Sequence, residues 1–192
     1  MNCKYRMMGW IALAAVAQAS AQTAFAGCAQ LGGTYLLEGS ACETASDKGF
    51  RDLDSLTLPG SVAGLEGLFN GDLLKIDQKS CDDISGSKHS KVDDKWRYLF
   101  QTASDAKCNQ SDRGFLMGTC RTVGQGLFKN KLTIVDQIQY LSIFLQDQFS
   151  WTFKKTSQGD LKVTYKQSGN GPYSSGFDNS MTCVLKKIGG PG

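Results

Sequence analysis

Histidine is the scarcest chemistry-bearing residue in this chain: 192 residues contain one, His89. A metal site built on imidazole is therefore out of reach, and serine-histidine-acid catalysis has a single candidate base. That base lies in Ser85-Gly86-Ser87-Lys88-His89-Ser90-Lys91, between Asp82, Asp83, Asp93 and Asp94. Such a polar context predicts an exposed loop, whereas a general base needs a shaped and partly desolvated site. Closely spaced cysteines are missing too. The nearest two, Cys108 and Cys120, stand twelve positions apart, which excludes a C-x-x-C redox centre and a paired-cysteine zinc site. No metal and no cofactor are expected. No apolar run reaches the roughly twenty residues that span a membrane, and no long basic tract points to nucleic acid.

What the chain does have is the layout of an export signal. Lys4 and Arg6 form a basic head without an acid, MMGWIALAAVA is a short apolar run, and QASAQTAFA supplies small residues for cleavage. Ala19-Ser20-Ala21 and Ala24-Phe25-Ala26 are both usable cleavage sites. Residues 1–26 are read as a signal peptide and 27–192 as one mature domain, secreted or periplasmic. The alternative is a lipoprotein anchored through Cys28, since Phe25-Ala26-Gly27-Cys28 resembles the box that precedes a lipidated cysteine. Phe25 stands where that box carries an aliphatic residue, and polar residues separate it from the apolar run, so a bridge is expected at Cys28 instead. Without Lys4 and Arg6, 19 basic residues face 18 acidic ones, a near balance that gives no reason to expect a polyanionic partner.

Export makes the cysteine count informative. Loss of Cys3 leaves Cys28, Cys42, Cys81, Cys108, Cys120 and Cys183, an even number suited to three bridges. Six cysteines allow fifteen pairings, and spacing does not choose among them. Short loops favour Cys28 with Cys42 and Cys108 with Cys120, leaving Cys81 with Cys183.

Alternation of apolar and polar residues dominates the mature chain. Phe149–Lys154 and Leu161–Lys166 read as a hairpin around Thr156-Ser157-Gln158-Gly159-Asp160. Further strands are expected at Gly33–Glu38, Leu73–Gln78, Trp96–Gln101, Phe115–Thr122, Lys131–Gln137, Tyr140–Leu145 and Met181–Lys187. Leu132–Leu145 also keeps helical spacing, but its β-branched and aromatic residues favour strand. Ser61–Phe69 is a candidate short helix weakened by two glycines, and Gly39–Lys48, Asp82–Lys95, Thr102–Gly114 and Gln167–Ser180 read as polar connections. The expected fold is all-β: an antiparallel meander of about eight to nine strands, closed as a small barrel or alternatively packed as a β-sandwich. Gly32-Gly33-Thr34-Tyr35 resembles the glycine-x-tryptophan motif that opens the first strand of lipocalins and related calycin barrels, with Tyr35 in the tryptophan position. The resemblance implies a lipocalin-like barrel.

Catalytic patterns are weak. Ser85-Gly86-Ser87-Lys88 fits S-x-x-K, yet the companion motifs of penicillin-recognising enzymes are absent. The acid pairs Asp52/Asp54, Asp82/Asp83 and Asp93/Asp94 lack the calcium-loop pattern and read as solvated loop residues. Asn109-Gln110-Ser111 is a glycosylation sequon only where the host glycosylates.

Aromatics are more suggestive. Trp96, Tyr98 and Phe100 alternate along one predicted strand, Trp151 and Phe153 along another, and Tyr165 sits in the hairpin partner. The leading expectation is a non-catalytic binding protein whose barrel wall, through these six residues, contacts a small apolar ligand. The alternative is a protein-interaction module, inhibitor-like, acting through disulfide-pinned loops, with Arg113 and Phe115 in the loop between Cys108 and Cys120. A hydrolase ranks behind both.

Overall fold

Alternation is most regular between residues 146 and 166, and there the chain forms an uninterrupted hairpin: Gln146–Lys155 pairs with Leu161–Gly169, from Asp147↔Gly169 to Lys155↔Leu161. The computed structural model describes residues 28–38, 42–44, 55–60, 65–105, 108–110, 118–125, 131–139, 145–172 and 179–190. In chain order the described elements are β1 (Gly33–Leu36), β2 (Cys42–Thr44), β3 (Ser55–Pro59), β4 (Leu65–Phe69), β5 (Leu73–Gln78), β6 (Ile84–Ser90), β7 (Lys95–Gln101), α1 (Thr102–Asp105), β8 (Cys108–Gln110), β9 (Gly118–Gln125), β10 (Lys131–Gln139), β11 (Gln146–Lys155), β12 (Leu161–Gly169) and β13 (Asn179–Gly189).

Eleven strands make one curled antiparallel sheet, a half-barrel, in the order β7-β6-β5-β1-β13-β12-β11-β10-β9-β8. The eleventh, β2, pairs with the first part of β13 (Met181↔Thr44 to Cys183↔Cys42), while β1 pairs with its last part (Tyr35↔Lys187). β3 and β4 form a separate two-stranded hairpin. Among the described residues the ends of the large sheet are β7 and β8, and α1 follows β7 directly while touching β6, β7 and β9. The all-β meander expected from the sequence is therefore present.

The period of two explains the curl. Leu132, Ile134 and Ile138 on β10, Phe149, Trp151 and Phe153 on β11, and Leu161, Val163 and Tyr165 on β12 all turn to the concave face and are buried. Full burial of each contributes about 1.5–3 kcal/mol. A slip of one residue would turn a whole strand's set to solvent, so register is strongly fixed.

Several expectations need correction. Residues 65–69 of the candidate helix Ser61–Phe69 form strand β4, because pairing with β3 buries Leu68; residues 61–64 lie outside the described set. The connection expected at Asp82–Lys95 contains β6. Its inward positions are Ile84, Gly86 and Lys88, only one of them a large apolar residue, so the strand is specified by neighbours β5 and β7 rather than by its own pattern. Of the strand expected at Phe115–Thr122, residues 118–122 belong to β9, which extends to Gln125, and residues 115–117 lie outside the described set. Of Tyr140–Leu145, only Leu145 is described, and it precedes β11.

The bridges also differ. Cys28 bonds Cys81 and Cys42 bonds Cys183, in place of Cys28–Cys42 and Cys81–Cys183. Sheet neighbours and not loop length decide: Cys42 stands opposite Cys183 in the β2–β13 register. Of the third expected pair, Cys108 stands opposite Cys120 in the β8–β9 register, and Cys120 is disulfide-bonded. Such bridges belong to an oxidising environment. Among the described residues no helix is long and apolar enough to cross a membrane.

Candidate functional site

The concave face is occupied by the chain itself. Leu56 and Leu58 of β3 and Leu68 of β4 are fully buried against it. Three polar side chains of the sheet hold this hairpin by its carbonyls. The Trp151 indole N–H donates to Thr57 O at 2.9 Å, Arg121 Nη1 to Gly60 O at 3.0 Å, and Lys88 Nζ to Gly67 O at 2.6 Å. Lys88, itself buried, also pairs with Glu66 at 3.1 Å. Arg121 is balanced by Asp136, its direct cross-strand partner, through Nε–Oδ1 and Nη2–Oδ2 contacts of 2.5 Å each. The geometry is the two-pronged fork that suits guanidinium and carboxylate.

Arg121 and Asp136 carry no role in the sequence analysis, and Lys88 enters it only through the S-x-x-K match. A signal was present for one of them: in Leu132-x-Ile134-x-Asp136-x-Ile138 the acid falls on the inward phase, which demands a buried cation opposite. Nothing comparable marks Lys88 or Arg121, whose strands lack a continuous apolar phase.

The six aromatics expected to line an interior divide into two groups. Phe100, Trp151, Phe153 and Tyr165 are buried in the core, where Phe100 packs on Phe153 with ring centres 5.5 Å apart and Trp151 on Tyr165 at 5.6 Å. Burial raises the Tyr165 hydroxyl above its ordinary pKa. Trp96 and Tyr98 instead lie on the outer face, 49% and 58% exposed. A β-bulge causes the division. Ser87 faces Tyr98 and Gly86 faces Phe100, leaving Leu99 as an extra residue, so Leu99 and Phe100 both turn inward. Phe100 lies over Gly86, where any added Cβ would overlap its ring. Arg113 and Phe115 fall outside the described residues, as do Asp52 and Asp54.

The β4–β5 and β6–β7 turns are tied together by one acid. Phe69, 52% exposed, lies just before the β4–β5 turn, and Val92, 95% exposed, tips the β6–β7 turn. Buried Asp72 ties the two turns together, accepting from the Phe69 amide at 3.0 Å and the Lys91 amide at 2.9 Å. His89 is part of β6, not of a loop. Its ring tilts against Trp96 at 5.1 Å and its Nε2 meets Asp94 at 3.0 Å. Asp93 pairs with Arg97. Desolvation raises the Asp93 carboxyl, but Arg97, the Lys95 amide and Ser90 together outweigh it and hold it below the usual range. Here His89 packs against an exposed aromatic ring and pairs with a turn acid.

A cleft of about 260 Å³ is lined by Cys81 and Asp82 before β6, Thr102 and Ala103 of α1, Val123 of β9 and Leu132 of β10. Thr102 is engaged structurally, its hydroxyl accepting from the Ile84 amide and donating to Asp82 O. Among the described residues no group of three or more histidines, cysteines or acids is placed to hold a metal ion. Compared with known proteins, the chain matches no family model, no curated protein and no solved structure.

Proposed function

We propose that this chain is an exported, non-catalytic binding protein that recognises a protein partner through the outer surface around β7. The observation that carries the reading is the exposure of Trp96 and Tyr98 on β7, an end strand of the sheet among the described residues. Tryptophan, tyrosine and arginine are the residues that most often dominate binding energy at protein interfaces. The β3–β4 hairpin lies in the space where a small apolar ligand would sit, which shifts the reading from barrel interior to outer surface. The lipocalin-like resemblance belongs to this proposal as a matter of fold: β1 starts at Gly33, and Tyr35 is buried with its hydroxyl donating to Leu31 O at 2.6 Å.

Immobilised mature protein, exposed to the extracytoplasmic proteins of its host, tests the reading. A specific partner should be retained, and lost when Trp96→Ala and Tyr98→Ala are combined. Retention that survives this change but disappears on substituting Arg113 and Phe115 would move the site to the loop between Cys108 and Cys120. Co-purification of a small apolar molecule with the protein, and no partner, would restore the interior reading.

A further inference from the structure

On a different surface, the outer face of β10–β13, we propose a docking site for an acidic polysaccharide. The near balance of charge over the mature chain hides a segregation. Lys131, Lys154 and Lys162 stand directly opposite one another across β10, β11 and β12, and all three are exposed. Lys166 adds a fourth exposed cation on the same face of β12. Asp136 and Asp147, the acids of these four strands, both fall on the buried phase. The outer phase therefore carries cations without a single acid.

Such a row works against the fold. Neighbouring strands lie about 4.8 Å apart, and like charges set directly opposite each other are destabilising. Edge protection does not account for it, because β9 and β13 flank these three strands and each of the three is paired on both sides. Among the described residues none of the four lysines closes an ion pair. Asp160, two positions before Lys162, accepts from the Lys187 amide at 2.9 Å, and Glu38 is met by Lys186 at 3.9 Å. Glu43 on β2, opposite Thr182, marks the border of the face. Charge balance for the row comes from outside the chain.

The rest of the face selects among polyanions. Beside the lysines runs a row of four threonines, Thr133, Thr152, Thr164 and Thr182, again in direct register, with the Thr164 and Thr182 hydroxyls 3.0 Å apart. Hydroxyls next to cations complement a chain that carries sugar hydroxyls beside carboxylates or sulfates. A single-stranded nucleic acid calls for aromatic platforms under its bases, yet every aromatic of these strands is buried on the inner face. An anionic membrane calls for a contiguous apolar face, and the outward aliphatic residues, Val135, Val184 and Ile188, are separated by polar positions.

The test uses full-length mature protein with polygalacturonate, neutral dextran, phosphatidylglycerol vesicles and oligothymidylate as probes. Polygalacturonate should bind, dextran should not, and added salt should weaken the complex. Lys131→Gln, Lys154→Gln and Lys162→Gln combined should weaken it at least tenfold. Lys79→Gln, Lys91→Gln and Lys95→Gln combined, an equal loss of charge elsewhere, should change it less than twofold. Arginine at positions 131, 154 and 162 should preserve binding, and the denaturant midpoint of the first triple variant should not fall, since it loses a like-charge row. Trp96→Ala with Tyr98→Ala should leave the polysaccharide bound, which keeps this test separate from that of the β7 surface. Equal weakening by the two glutamine variants would reduce the effect to net charge and overturn the site. Absence of polygalacturonate binding, or tighter binding of the vesicles or of oligothymidylate, would overturn the polysaccharide as its occupant.

Discussion

Arg121 and Asp136 face each other across β9 and β10, both almost wholly removed from solvent, and close two 2.5 Å contacts between guanidinium and carboxylate. The third prong of the guanidinium holds Gly60 O at the end of β3. One ion pair thus fastens the sheet wall to the hairpin that fills it.

Removing one partner leaves the other charge buried without compensation. Asp136→Ala should cost about 3–5 kcal/mol, whereas the double change Arg121→Met with Asp136→Leu should cost far less, because it removes both desolvation penalties together. Urea unfolding monitored by tryptophan fluorescence measures both variants. Equal losses would show that losing the Arg121 contact to Gly60 O costs as much as the double change regains by removing the unpaired charge.

Alternation made several strands legible in sequence, and Leu73–Gln78 matches β5 residue for residue, although β3, with Leu56 and Leu58 inward, was not expected. β6 was not, because glycine and lysine stand at two of its inward positions. The aromatic series Trp96, Tyr98 and Phe100 was read as one face. The bulge that divides it arises from Phe100 settling over Gly86, a tertiary contact without a local signature. Disulfide pairing was hidden for a related reason. Cys42 meets Cys183 only because β2 continues the line of β1 along β13, and no local pattern announces that.

The two described bridges should differ in weight. Cys42–Cys183 closes a separation of 141 residues and Cys28–Cys81 one of 53. Chain entropy alone assigns them about 5 and about 4 kcal/mol. Replacing both cysteines of each pair with serine should therefore lower stability in that order, by a difference of roughly 1 kcal/mol, read as denaturant midpoints. A larger loss from the Cys28–Cys81 pair would show that bridge supporting native contacts around Gln78, which accepts from the Leu31 amide at 2.9 Å and donates to Ala29 O at 2.8 Å.

Alkaline stability should report on Tyr35. Burial, with the charge of Asp160 adding to it, pushes the Tyr35 hydroxyl up from 10.0 to about 12. The folded state therefore keeps a proton that the unfolded chain has already lost, so the contribution is complete below pH 10 and disappears as pH rises to about 12. Unfolding free energy should fall across that window. In Tyr35→Phe the fall should be shallower, and stability at neutral pH should drop by about 1 kcal/mol with loss of the hydrogen bond to Leu31 O. An unchanged slope in the variant would assign the alkaline transition to Tyr165, whose hydroxyl burial also raises.

Gly169 and Gly159 separate two effects of adding a methyl group. Both have positive φ, +132° and +91°, so alanine at either position carries a conformational cost of about 1–3 kcal/mol. Around Gly159 an added Cβ meets nothing within 4 Å, whereas at Gly169 it would overlap the carbonyl of Gln146. That carbonyl also accepts from the Asn170 amide at 3.0 Å and the Gly171 amide at 3.2 Å, so backbone cannot withdraw without breaking both bonds. Gly169→Ala should accordingly destabilise well beyond Gly159→Ala, with amide exchange speeding first at residues 170 and 171. Equal midpoints for the two variants would mean that β12 and β11 separate at this end readily enough to absorb the methyl group, and the close approach at Gly169 would then carry little of the hairpin's stability.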